Sequence, residues 1–176
     1  MTNQPAPDLS YPIGRFQAPP QATPEQIQTA TEEIAALPAQ IEQVLSQLTP
    51  AQLESTYRPG GWTGLQVLTH LADSHMHAYI RIKFALTQDR PVIMPYGQDA
   101  WASFEDAKSG DPKDSLEILR GVHSRMAVTL RGLKAEDWSR EFVHPELGPR
   151  TVGMTALLYA WHGKHHLGHL KLLASS

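Results

Sequence analysis

The chain contains no cysteine. Disulfides, thiolate metal sites and a cysteine nucleophile are therefore excluded, and any metal site must draw on His, Asp or Glu. Long apolar runs are also missing, so no segment approaches the roughly 20 residues of a membrane span. Positive charge is scarce in the sense that matters for nucleic acid: the formal net charge is −3, and no basic stripe is available to track a phosphate backbone. Met1 to Pro20 lacks the charged lead and apolar core of a secretory signal. These absences point to a cytoplasmic protein that binds neither nucleic acid nor membrane. What remains is ordinary: 41% hydrophobic and 19% charged residues in 176, enough for one domain with a real core.

Residues 1–22 hold five of the fourteen prolines and read as an extended arm. Residues 23–176 read as a single helical domain. Thr23-Pro24-Glu25-Gln26 is a helix start with a capping Thr, Pro at the first position and Gln three residues on. Apolar residues from Ile27 to Leu48 then recur at helical spacing, and Pro38 is expected to kink or break that helix. Thr49-Pro50 opens a short turn. Thr63-Gly64-Leu65-Gln66 caps a helix near 63–88. A short helix is expected at 99–108, another helix at 112–132 and a last one at 151–174. His144 to Pro149 reads as a turn or short hairpin. Four long helices with short ones between them make an all-α bundle.

Histidine breaks the ordinary composition: there are nine, four of them between His162 and His169. His162, His165, His166 and His169 fall on one face of the last helix, with Met154, Leu158, Leu170 and Leu173 on the same side. On the preceding 63–88 helix, His70, Ser74, His77 and Arg81 form a polar stripe between apolar flanks, as expected for a helix lining an internal cavity. Clustered buried imidazoles need partners, and a divalent cation supplies one. His162 and His166, at i and i+4, can grip one ion. A third imidazole from another helix would complete one side, and spacing alone leaves it open among His70, His77 and others. His165 and His169 read as residues that contact the ligands or an interface. His75, His123 and His144 read as ordinary surface or loop residues; Ser74, His77 and Arg81 could orient an anionic or polar substrate from the cavity wall, or Arg81 and Asp73 could belong to structural ion pairs. Tyr96 and Trp101 either border the pocket or pack.

The stretch Gly60-Gly61-Trp62-Thr63, with Gln66-Val67 and His70-Leu71-Ala72-Asp73-Ser74-His75-Met76, resembles the DinB/YfiT group of bacterial metalloproteins. Tyr159-Ala160-Trp161-His162-Gly163-Lys164-His165-His166 does so as well. Tyr11-Pro12-Ile13-Gly14, Pro95-Tyr96 and Ala100-Trp101 resemble its YfiT branch. The resemblance implies a four-helix bundle of the DinB/YfiT type with short connecting helices and an extended N-terminal arm. It implies one divalent ion per chain, Zn2+ or Ni2+, held by His70, His162 and His166, with His165 and His169 beside the ligands; the stripe itself makes Ser74, His77 and Arg81 pocket candidates. It further implies a homodimer and a metal-dependent hydrolase acting on a small molecule. The alternative is a thiol S-transferase using a low-molecular-weight thiol of the bacillithiol type, and a second alternative is a stress-related module with a structural metal.

Three neutral imidazoles leave the ion its full charge, so a bound water would be acidified and made nucleophilic, and a bound thiol would be held as thiolate. The ligand set cannot separate the two. Gly163 follows His162, so the HExxH pattern of metallopeptidases is absent, and no general base is evident.

Overall fold

The structure, a computed structural model, describes residues 8–175; the first seven residues of the expected arm lie outside them. The elements in chain order are α1 (Pro24–Leu45), α2 (Pro50–Glu54), α3 (Gly64–Thr87), α4 (Gln98–Trp101), α5 (Glu105–Ser109), α6 (Pro112–Arg131), a 3-10 turn (Ala135–Ser139), β1 (Glu141–His144), β2 (Gly148–Thr151) and α7 (Val152–Ala174). The strands form one short antiparallel hairpin, with Glu141 opposite Thr151 and His144 opposite Gly148.

Three helices begin with the same device. Thr23, Thr49 and Thr63 each accept a hydrogen bond on the side chain from the backbone of the Gln three residues on, and that Gln side chain in turn accepts one from the threonine backbone N–H. Each box satisfies two of the orphan donors at a helix start, which is why the starts are legible from sequence. Residues 8–22 contain no helix or strand. They lie along α7: Pro12 packs on Gly168, Phe16 on Trp161 and Tyr11 near His165.

The four long helices form a ring in which α1 packs on α6, α6 on α3, α3 on α7 and α7 on α1. Consecutive long helices α1 and α3 are therefore diagonal. The apolar core is split into two clusters. One holds Ile34, Ala78, Ile82, Met126, Leu130 and Ala156; the other holds Leu37, Ile41, Leu68, Leu71, Leu119 and Leu170. Between them, at mid-bundle, sits a layer of buried histidines.

Pro38 does not break α1, which continues through it as one element. The N–H it lacks leaves the carbonyl of Ile34 without a helical donor. Gly163 marks the contact of α7 with α1: a Cβ there would run into Cδ2 of Leu37 and touch two more of its carbons. Leu37 is itself buried and has little room to yield. Gly163→Ala is therefore expected to destabilise the fold by about 1–3 kcal/mol, the cost of overpacking a core, read as a lower urea midpoint with unchanged slope. The same contact crowds any side chain that would follow His162.

No helix among the described residues is long and apolar enough to cross a membrane.

Candidate metal centre

α3 and α7 bring His70, His162 and His166 together. One ring nitrogen from each lies within 4.8 Å of the others, and Nε2 of His70 stands 3.3 Å from Nε2 of His162. A tetrahedral ion with metal–nitrogen bonds near 2.0–2.1 Å spaces its ligands about 3.3 Å apart, so these residues fit a divalent cation. His162 and His166 come from successive turns of α7, as their i, i+4 spacing requires, and their rings meet edge to face with centroids 4.5 Å apart. Trp62 packs against His70 at 4.8 Å.

Burial makes these imidazoles neutral, the form a metal needs. Desolvation, with a smaller contribution from His165, lowers His70 to about 4. Desolvation first, then neighbouring imidazoles, holds His162 and His166 well below the usual value. His162 keeps part of its surface open, but protein atoms crowd it closely enough for burial to control its titration.

Two cavities, of about 430 and 600 Å3, share His70, His162, Gln98 and Asp99 in their walls. The larger is also lined by Ser74, Arg81, Tyr96, His144, Glu146 and Tyr159. Ser74 donates to the Tyr159 hydroxyl at 3.5 Å. Arg81 is only 9% exposed. Its Nη2 donates to the Met94 carbonyl at 3.3 Å, while its Nε has no partner.

Several sequence expectations need correction. Among the described residues neither Arg81 nor Asp73 joins an ion pair; Asp73 is half-buried, and desolvation with the nearby Asp106 raises it to about 6. His77 is not on the cavity wall. Its Nδ1 donates to the Asp73 carbonyl, and its ring stacks behind Tyr96 at 4.4 Å and against Trp101. Tyr96 thus borders the cavity, and Trp101 packs. His144 lines the larger cavity beside Arg81, which helps burial to lower its pKa.

His75 and His123 are not surface residues: both are fully buried. The pattern did carry a signal. His75 lies in step with Leu68, Leu71, Ala78 and Ile82, and His123 with Leu116, Leu119, Met126 and Leu130, all buried. Nε2 of His75 is 3.1 Å from Nδ1 of His162, and Nδ1 of His75 is 2.9 Å from Nε2 of His123.

His165 and His169 sit on the other side of His166, with which they form a second group that could hold an ion. Nδ1 of His169 is 3.2 Å from Nδ1 of His166, and its ring stacks on Tyr57 at 4.0 Å. His165 stacks on Trp161.

Comparison with known proteins places this geometry. The model of the DinB superfamily matches residues 13–170. The chain belongs to the DinB superfamily. It is 40% identical over 168 residues to the Bacillus subtilis protein named "Putative metal-dependent hydrolase YfiT", covering 95% of this chain and 94% of that one. A relative from Oceanobacillus iheyensis described in the same words is 44% identical over 163 residues, 93% of this chain and 94% of its own. The solved structure of Bacillus subtilis YfiT, described as a probable metal-dependent hydrolase with an unusual four-helix bundle topology, matches with a TM-score of 0.92 at 39% identity. That match covers 95% of this chain and 96% of the other. The helical ring above shares its topology.

Proposed function

We propose that this DinB-superfamily chain is a metal-dependent hydrolase of small anionic substrates, with His70, His162 and His166 as the metal ligands. The observation that carries the reading is a group of three imidazoles whose ring nitrogens lie within 4.8 Å of one another and which opens onto two cavities. Three protein ligands are one short of a closed structural site. A divalent cation held by His70, His162 and His166 would lower the pKa of a water toward about 7 and polarise a carbonyl or phosphoryl oxygen. The names of the relatives in Bacillus subtilis and Oceanobacillus iheyensis support the same class.

The chain's own residues would bind and orient the substrate. A buried guanidinium without a carboxylate partner is costly, and an anionic group entering the larger cavity would supply the missing partner to Arg81 Nε. The hydroxyls of Ser74 and Tyr159 lie along the same wall and can hydrogen-bond the rest of the molecule.

The test is turnover of small carboxylate- and phosphate-bearing esters by the zinc-loaded protein without added thiol. Hydrolysis should vanish with chelator and with His162→Ala. Arg81→Leu should lower kcat/KM for the anionic esters by about 10- to 100-fold, the value of one charge-assisted hydrogen bond, and leave neutral esters unchanged. Turnover only with a low-molecular-weight thiol and an electrophile would make the protein an S-transferase instead. No turnover of either kind would favour a structural ion.

A further inference from the structure

Pro38 has no N–H, so the carbonyl of Ile34, which an α-helix would normally bond to residue 38, is left without its helical donor. Nδ1 of His123, from α6, fills that role at 2.6 Å. A carbonyl oxygen can only accept, so this nitrogen must carry the proton. His123 is fully buried and neutral, so its Nε2 bears a lone pair. The Nδ1 of His75, 2.9 Å away, must then donate. The Nε2 of His75 is in turn an acceptor, and Nδ1 of His162, 3.1 Å away, must donate to it. The remaining nitrogen of His162 is Nε2, which faces His70 Nε2. A direction imposed at a proline in α1 thus passes through α6 and α3 to α7, following the order in which these helices pack.

We propose that His123 and His75 are positioning residues that fix His162 as the Nδ1–H tautomer and aim its Nε2 lone pair at the cation site. The inference rests on the metal reading above for its purpose but not for its geometry. The chain ends on an amide carbonyl, which cannot pass a proton on, so it acts as a lock and not as a conduit to solvent. A metal-bound histidine ordinarily donates its other N–H to a fixed acceptor, and loss of that acceptor costs 10- to 100-fold in affinity or activity. Here the acceptor is another imidazole, whose own polarity is set two helices away.

The test is a long-range proton–nitrogen correlation spectrum of the imidazoles in the 15N-labelled, metal-free full chain near neutral pH. His123, His75 and His162 should all be protonated on Nδ1 and bare on Nε2 before any metal is added. Protonation on Nε2 of any of the three overturns the proposal, whether or not zinc binds. The second arm is His75→Phe, with His123→Leu beside it. Zinc affinity, measured by competition with a chelator, should fall 10- to 100-fold, and His162 should show Nε2 protonation in the metal-free variant. Unchanged affinity with an unchanged His162 tautomer in a folded variant also overturns it. If neither variant folds, the wild-type spectrum still decides. If zinc fails to bind the wild type while the three tautomers are as stated, the metal reading falls and the lock stands.

Discussion

Stripped of metal, the protein is expected to lose its helical signal as the pH is lowered from about 6.5 towards 4. The cause is the buried histidine layer. In the folded chain burial lowers His70 and His123 to about 4, the latter against the opposing effect of its hydrogen bond to the Ile34 carbonyl. Burial first, then neighbouring imidazoles, also holds His75, His162 and His166 well below their ordinary value. Their unfolded value is near 6.5. Above that pH neither state binds a proton at these sites and stability is flat. Below it the unfolded chain takes up protons that the folded chain refuses, so stability falls with pH. A group lowered to about 4 contributes a loss of roughly 3 kcal/mol across the window. His70 and His123 alone then remove about 6 kcal/mol, comparable to the whole stability of a typical domain. Circular dichroism against pH, with chelator present, reads the transition. Metal-free protein as stable to urea at pH 4.5 as at pH 7.5 would show that these imidazoles are not held neutral by the fold.

The same layer explains which parts of the molecule were legible in the sequence. Helix starts were, because a Thr-x-x-Gln box is a local device: Thr23 and Thr63 need only their own Gln26 and Gln66. The grouping of His162 with His166 was legible too, since their spacing fixes their face on α7. The order of the helices around the bundle was not. The ring order that sets α1 diagonal to α3 is decided by packing between distant segments, and only that order brings α6 alongside α3. His75 and His123 were misread for this reason. Each stands alone in an apolar stripe, and a single polar residue in such a stripe does not say which helix will satisfy it. By sequence alone Pro38 is a residue that kinks or breaks α1. Its effect lies elsewhere, in the carbonyl it leaves free for a histidine 89 residues away in sequence. Gly163 is a similar case. The sequence excluded a metallopeptidase motif on that residue, and the structure supplies the reason in Leu37.

Zinc is expected to raise the melting temperature of the wild-type protein by about 8–16 °C when free zinc is a thousand times its dissociation constant. That concentration adds about 4 kcal/mol to a protein whose unfolded chain does not bind the ion, and a chain of this length gains roughly 2–4 °C per kcal/mol. Because the ion binds neutral imidazoles, its stabilisation competes with protons, so zinc should also move the acid transition to lower pH. The shift discriminates between the two histidine groups. His70 and His162 belong to the first only, His165 and His169 to the second only, and His166 to both. The first group has the geometric advantage. It draws on two helices, holds Nε2 of His70 and His162 at tetrahedral spacing, and leaves the cavities as the open side. In the second, all three imidazoles come from α7 alone, and Nδ1 of His166 already lies in hydrogen-bonding reach of His169. His70→Ala and His162→Ala should therefore abolish the zinc-induced shift, whereas His165→Ala and His77→Ala keep it in full. His169→Ala should reduce it in part, because it removes the partner of His166 without removing a ligand. Loss of the shift in His165→Ala, with His70→Ala unaffected, would move the ion to the far side of His166 and away from Arg81 and the larger cavity.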